Sequence, residues 1–114
     1  MPIATSAGRQ AAAAGFIGQA AIASLHTADP GTTGANELTG GSPAYARQPI
    51  GWTDSGDGVY AGDVDPFDVP ASTVTHVGLW ASDGTTFLDA SPIDPATYTE
   101  QGLLTLVTLT YTQV

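Results

Sequence analysis

The chain of 114 residues contains no cysteine and no lysine, and its two arginines, Arg9 and Arg47, stand against 11 acidic residues. Without cysteine it has no disulfide framework, no thiolate nucleophile and no cysteine-ligated zinc. A net charge of −9 excludes nucleic acid as a partner, because phosphate contacts require Lys and Arg in number. The same charge argues against a membrane partner, since it opposes docking on an anionic bilayer.

Long apolar runs are also missing, and no stretch reaches the roughly 18 apolar residues that a membrane-spanning helix needs. Charged residues make up only 11% of the chain, against about 25% in an average globular domain. We therefore expect a surface built largely from Thr, Ser, Gly, Ala and Asp. The length suits one domain with a core of its own.

An alanine-rich segment at residues 5–21 predicts the only helix, because alanine is the best helix former. Thr5 or Ser6 is suited to cap its N-terminus. One narrow apolar stripe follows the helical repeat: Ala13, Phe16, Ile17 and Ala20. We expect residues 1–21 to form an N-terminal helical arm. It would lie on its own sheet or on a neighbouring subunit, with Phe16 and Ile17 as contact residues.

Residues 22–114 predict a single β domain, because short strand candidates alternate with turn signals. The candidates are Ile22–Thr27, Ala44–Trp52, Gly58–Ala61, Pro66–Val69, Thr73–Trp80, Thr85–Ala90 and Leu103–Gln113. Turns are expected at Asp83-Gly84 and at residues 91–95. The last candidate alternates, with Leu103, Thr105, Val107, Leu109 and Tyr111 on one face and Thr108, Thr110 and Thr112 on the other. The fold is expected to be mainly β, a small antiparallel β-sandwich or barrel with one N-terminal helix and a long loop.

The long loop follows the first strand candidate and contains the turn signal Asp29-Pro30-Gly31. A loop of this length is often a contact element. Arg47 is expected to pair with Glu37 or another turn acid and so pin the loop to the sheet; a contact to a neighbouring subunit is the alternative. Gly40 and Gly41 provide backbone conformations that other residues resist. The predicted interaction residues of this region are Asn36, Glu37, Gly40, Gly41 and Arg47.

Residue types of a catalytic triad occur close together at Ser24, His26 and Asp29, but proximity in sequence does not establish a triad. His76 lies inside a strand candidate, where a structural role is favoured. Acids such as Asp63 and Asp65 are compatible with calcium, but turn preference explains them better. We expect no catalytic residue, no metal and no cofactor. Aromatic residues occur about once per strand, which favours a core role over an exposed carbohydrate-binding platform.

Two segments carry a resemblance to a known family: ASLHTADPG at residues 23–31 and ANELTGGSPAYAR at residues 35–47. They resemble small structural proteins of tailed bacteriophages and prophages. The segments FDVPA at 67–71, THVGLW at 75–80 and GLLTL at 102–106 continue the resemblance. Members are usually labelled tail-fibre or minor tail proteins, and similar β modules serve as capsid decoration proteins.

The resemblance implies a non-enzymatic component of the virion whose partners are other virion proteins, on the capsid or in the tail. A homo-oligomer is expected, with a trimer as one form, because fibres and local capsid positions both have threefold symmetry. A module that binds host-surface glycan is the alternative. It would require an exposed cluster of aromatic rings beside acid pairs.

Overall fold

The computed structural model describes residues 3–106 and 109–113, which form one helix and eight strands. The prediction of a mainly β fold is confirmed. The elements in chain order are α1 (Ser6–Ile17), β1 (Ala20–His26), β2 (Gln48–Gly56), β3 (Val59–Val64), β4 (Phe67–Val69), β5 (Ser72–Ala81), β6 (Phe87–Tyr98), β7 (Gly102–Leu104) and β8 (Leu109–Thr112).

Six strands form one curled antiparallel sheet in the order β6-β5-β1-β2-β3-β8, and β4 pairs with β7 in a second, two-stranded sheet. The core lies between the two sheets. Leu25 and Val77 of the large sheet belong to the same buried cluster as Phe67 and Val69 of the small one. This arrangement matches the expected sandwich or barrel-like architecture, since apolar residues of both sheets face each other.

The helix lies on the sheet of its own chain, which is one of the two alternatives that the sequence predicts. Its N-cap Thr5 accepts a hydrogen bond from the Gly8 N–H at 3.0 Å. Gln10 accepts from the Gly58 N–H at the β2–β3 turn over 2.7 Å. The helix ends at Ile17 rather than near residue 21, because the chain already enters β1 at Ala20.

The turn predicted at residues 91–95 is wrong, because β6 continues through these residues as an edge strand of the large sheet. Edge strands accept proline because the missing N–H need not face a partner. In place of a turn, this proline-containing segment forms a β-bulge. His76 pairs with Pro92 and Val74 with Ala96, so residues 93–95 stand opposite the single residue Thr75. Strand β2 also begins later than predicted, at Gln48, after a turn that contains a cis Ser42–Pro43 bond.

The predicted strand Leu103–Gln113 is wrong as one element, because its two ends join different sheets. Strand β7 pairs with β4, whereas β8 pairs with β3. Leu103 is therefore 64% exposed, while Leu109 is 8% exposed and lies in the core. Two residues of the expected alternation, Val107 and Thr108, lie outside the described residues. An alternating pattern predicts a strand with one buried and one exposed face, but it does not predict which sheet each part of the segment joins.

Candidate functional site

The long loop between β1 and β2 is held against the sheet by backbone hydrogen bonds. The Leu38 N–H donates to the Leu25 carbonyl at 2.9 Å, and the Thr27 N–H donates to the Asn36 carbonyl at 3.0 Å. Asn36 in turn donates from its side chain to the Asp29 carbonyl at 3.0 Å. The start of the loop thus has a defined conformation although it contains no regular element.

A buried hydrogen-bond chain links β5, β1 and the loop. Trp80 Nε1 donates to Ser24 Oγ at 2.7 Å, Ser24 Oγ lies 2.7 Å from His26 Nε2, and His26 Nδ1 lies 2.8 Å from the Ala35 carbonyl oxygen. A carbonyl oxygen only accepts, so Nδ1 carries the proton and Nε2 accepts from the Ser24 hydroxyl. Every step of this chain therefore has one donor and one acceptor.

The environment of His26 favours the neutral imidazole. Ser24 and His26 are both 0% exposed. Burial lowers the pKa of His26, and the positive charge of Arg47 acts in the same direction, against the smaller opposing effects of the Ala35 carbonyl and Glu37.

These residues do not assemble the triad that their types suggest. The Asp29 carboxylate accepts instead from the Gly31 N–H at 2.9 Å, as in an Asx turn. Because both members of the Ser24–His26 pair are buried, the pair has no access to a substrate. The arrangement supports a structural role, in which the hydrogen-bond chain connects the loop to the sheet.

Arg47 pins the loop in the way that the sequence predicts. Its Nε and Nη2 donate to the two carboxylate oxygens of Glu37 at 2.8 and 2.7 Å, and its Nη1 donates to the Gly84 carbonyl at 2.7 Å. The guanidinium lies 3.8 Å from the ring centroid of Trp80. Tyr45 adds a hydrogen bond from its hydroxyl to Glu37 at 2.8 Å. The predicted internal ion pair is confirmed.

The pKa of the Glu37 carboxyl is lowered, because the effect of its hydrogen bonds exceeds the effect of its desolvation. Burial by itself raises the pKa of this carboxyl. The hydrogen bonds from Arg47 and Tyr45 together lower the pKa by more than burial raises it, so the net shift is downward. Burial raises the pKa of Tyr45. Glu37 is therefore ionised near neutral pH and keeps its bidentate pair with Arg47.

The structure places the predicted interaction residues in two groups. In the loop, Glu37 and Arg47 bond to each other, while Asn36, Gly40 and Gly41 are exposed. All three of these exposed residues have positive φ, at 63°, 91° and 98°. In the helix, the Phe16 ring stacks on Tyr111 of β8 with centroids 4.4 Å apart, and Ile17 is half-buried. Whether either group contacts a partner stays a prediction.

Two glycines essential to the loop were not singled out by the sequence. A Cβ at Gly34, which has φ of 76°, would lie 2.5 Å from the Trp80 ring. One at Gly78 would lie 2.6 Å from both His26 Nε2 and Ser24 Oγ. Glycine therefore allows the loop to approach Trp80 of β5 at Gly34, and allows β5 to approach the Ser24 and His26 side chains of β1 at Gly78. Their partners are distant in sequence, so no local signal identifies them.

A groove of about 550 Å³ opens between β6 and β8, the two edge strands of the large sheet. Residues of the groove come from strands far apart in the sequence and include Trp52, Leu79, Asp89, Ile93, Asp94 and Tyr111. The sequence predicted none of them as a surface. The bulge of β6 places Ile93 and Asp94 in its wall.

The described residues, 3–106 and 109–113, show neither a metal cluster nor a membrane-spanning helix. Within these ranges, no three His, Asp or Glu side chains come together as a possible metal site. The helix found there is too short and too polar to cross a membrane. Two acids at the β2–β3 turn have contacts within the protein, since Asp54 accepts from the Gly56 N–H at 2.7 Å and Asp57 pairs with Arg9 at 2.5 Å.

A family model described as Podophage GP4 fiber I protein gp80 matches residues 8–104, from the first turn of α1 to the end of β7. No curated protein and no solved structure matches the chain.

Proposed function

Because the chain belongs to the family of the podophage GP4 fiber I protein gp80, we propose that it is a non-enzymatic building block of a phage tail fibre. It is a structural phage protein, located in the virion and associated with other virion proteins. The family match over residues 8–104 is the observation that carries the proposal. The burial of Ser24 and His26 supports the non-enzymatic part, because the best candidates for chemistry are occupied in the core.

The fibre location is tested by copy number in purified virions. Quantitative mass spectrometry against the major capsid protein should give a ratio far below one, and gold-labelled antibody should mark the tail. A ratio close to that of the capsid subunit would instead assign a capsid decoration protein. Complete absence from virions would reject the structural role as a whole.

We also propose that the exposed part of the loop contacts neighbouring subunits, in line with its predicted interaction residues. Support comes from its defined conformation, because a pre-ordered surface loses less entropy when it binds. Thr39, between Leu38 and Gly40, is exposed and suits a test. The variant Thr39→Arg should lower incorporation into virions, whereas Thr53→Arg, at an exposed position of β2, should not. Equal incorporation of both variants would reject the loop as the contact.

Assembly into a homo-oligomer is part of the same proposal, with a trimer as the expected form. Sedimentation equilibrium of the purified chain tests it directly, and a mass equal to that of the monomer at all concentrations would count against it. The glycan-binding alternative has less support. Among the described residues, Leu103 is the one large hydrophobic side chain that is exposed, and no aromatic ring is. Binding on a glycan array would restore that alternative.

A further inference from the structure

The groove between β6 and β8 is an opening in the curled sheet. Strands β6 and β8 each pair on one side only within the described part of the chain, with β5 and β3 respectively. Sheet edges present backbone N–H and C=O groups that pair readily with an added strand. Pro92 and Pro95 remove two donors from β6, so β8 and the β6 carbonyls offer most of the pairing groups.

Apolar side chains form the floor of the groove. Trp52, Val77 and Leu79 line it from β2 and β5, and Ile93 lines it from the bulge of β6. Trp52 is fixed there by a hydrogen bond from its Nε1 to the Ala20 carbonyl at 2.7 Å. Val77 and Leu79 are already buried in the core, whereas Trp52 and Ile93 are half-buried. An extended segment with apolar residues at alternate positions would therefore cover Trp52 and Ile93.

The charge of the groove wall is negative. Asp89 and Asp94 are exposed and both line the groove. Asp89 of β6 and Tyr111 of β8 both line the groove, and burial and the Asp89 carboxylate together raise the pKa of Tyr111. An occupant with Lys or Arg beside its apolar residues would match this charge.

A second copy of this chain does not match it. The sequence has two Lys or Arg side chains in total, and both are engaged. Arg9 pairs with Asp57, and Arg47 pairs with Glu37. With a net charge of −9, two copies would also repel each other at an acidic groove.

We infer that the groove between β6 and β8 receives an extended, basic segment of a different virion protein, which adds to the sheet at β8 and is held by Asp89 and Asp94. This inference rests on the proposed function, because the partner is available only in the virion. It specifies the chemistry of that partner, namely alternating apolar residues flanked by Lys or Arg.

Photo-crosslinking in virions tests the inference. The crosslinker p-benzoylphenylalanine is placed at Ser91, an exposed residue that lines the groove. Thr97, exposed on the same strand but outside the groove lining, provides the matched control. After irradiation of purified virions, mass spectrometry should identify a basic segment of another virion protein attached at position 91 and not at 97. Crosslinks to this chain itself, or none at position 91, would overturn the inference.

Charge reversal gives an independent measurement. Asp94→Lys should lower incorporation into virions by about tenfold, because it places like charges together in the complex. Asp63→Lys, at an exposed position of β3, should leave incorporation unchanged. Equal incorporation of the two variants would contradict the role of Asp94. If the unmodified protein is absent from virions, the proposed function itself fails, so the two failures are distinguishable.

Discussion

The Ser24 hydroxyl oxygen lies 2.7 Å from Nε2 of His26, where both side chains are 0% exposed. The bond has a fixed direction, because Nδ1 of His26 already donates to a loop carbonyl. Trp80 donates to the same hydroxyl and so connects β5 to the chain of bonds. Two residues of β1 thus hold the loop to the neighbouring strand, and the stability of the loop depends on their packing and protonation.

Gly78→Ala should destabilise the protein. The added methyl group would lie 2.6 Å from both Ser24 Oγ and His26 Nε2, which are fixed by their hydrogen bonds. We expect a loss of about 1–3 kcal/mol in the free energy of unfolding, as for other overpacked cores. Urea denaturation measures this change.

The matched control for this variant is Gly15→Ala in α1. A Cβ at Gly15 would meet no group within 4 Å apart from its chain neighbours and the backbone of its own helix, and replacing a helical glycine by alanine should stabilise by up to about 1 kcal/mol. If both variants changed stability equally, the space around Gly78 would not be the cause.

Acidification should weaken the fold in two successive pH ranges. The pKa of His26 lies below its ordinary 6.5 in the folded protein, so the unfolded chain binds more protons between these values. The free energy of unfolding therefore falls as pH drops from about 7 through 6.5 to the folded pKa of His26. The pKa of Glu37 is likewise lowered from 4.5, so its contribution is lost as pH falls below that value.

Nitrogen NMR of the imidazole checks the first range. In the variant His76→Gln, His26 is the one histidine left, so its titration is observed alone. Its spectrum should show the proton on Nδ1 and a midpoint below 6.5. A proton on Nε2 would contradict the assigned direction of the hydrogen-bond chain, and a midpoint at or above 6.5 would contradict the lowered pKa of His26.

Arg47→Ala should loosen the loop and lower stability by about 1–2 kcal/mol, because it removes charge-assisted hydrogen bonds that are only partly exposed. The side chains of Arg47 and Glu37 are 29% and 20% exposed. Limited proteolysis between residues 28 and 46 and thermal denaturation both report the change.

Lysine at position 47 should recover only part of that loss. It keeps the charge but cannot donate to both Glu37 oxygens and stack on Trp80 at once. The variant Arg9→Ala serves as a comparison, because its partner Asp57 is more exposed, and it should have a much smaller effect. Full recovery by lysine would show that charge alone holds the loop.

Leu109→Ala should destabilise the protein by about 2–4 kcal/mol, since Leu109 is only 8% exposed and belongs to the core. Leu103→Ala should change stability by no more than about 0.5 kcal/mol, because Leu103 is 64% exposed. Urea denaturation of the two variants tests the division of the C-terminal segment into β7 and β8. Similar losses would favour the single strand that the sequence predicts.

Local patterns were sufficient to predict the helix and most of the strands, and they named Glu37 as one possible partner of Arg47, which the structure then shows. The helix follows from alanine content and a capping threonine, which act within one or two turns. The turn at Asp83-Gly84 follows from residues that adopt positive φ or accept nearby backbone N–H groups. The Asp83 carboxylate indeed accepts from the Thr85 and Thr86 N–H groups at 2.8 and 2.9 Å.

Only the tertiary structure decided the conformation of two segments, the proline-containing residues 91–95 and the alternating residues 103–113. Prolines that predict a turn are accommodated in β6 because it lies at the edge of the sheet. The alternating C-terminal segment divides between two sheets, because each half finds a different partner strand. Neither outcome is encoded in the segment itself, since edge position and pairing are properties of the assembled sheet.

The composition by itself argues against nucleic acid and against an anionic membrane as partners, because a net charge of −9 with two arginines provides few groups for phosphate contacts. Only the tertiary structure decided which polar and charged side chains are accessible to a partner or substrate. It buries Ser24 and His26, engages both arginines in ion pairs and opens a groove between β6 and β8. The physical reason is that burial and long-range pairing depend on distances between residues far apart in the sequence, which local propensity does not specify.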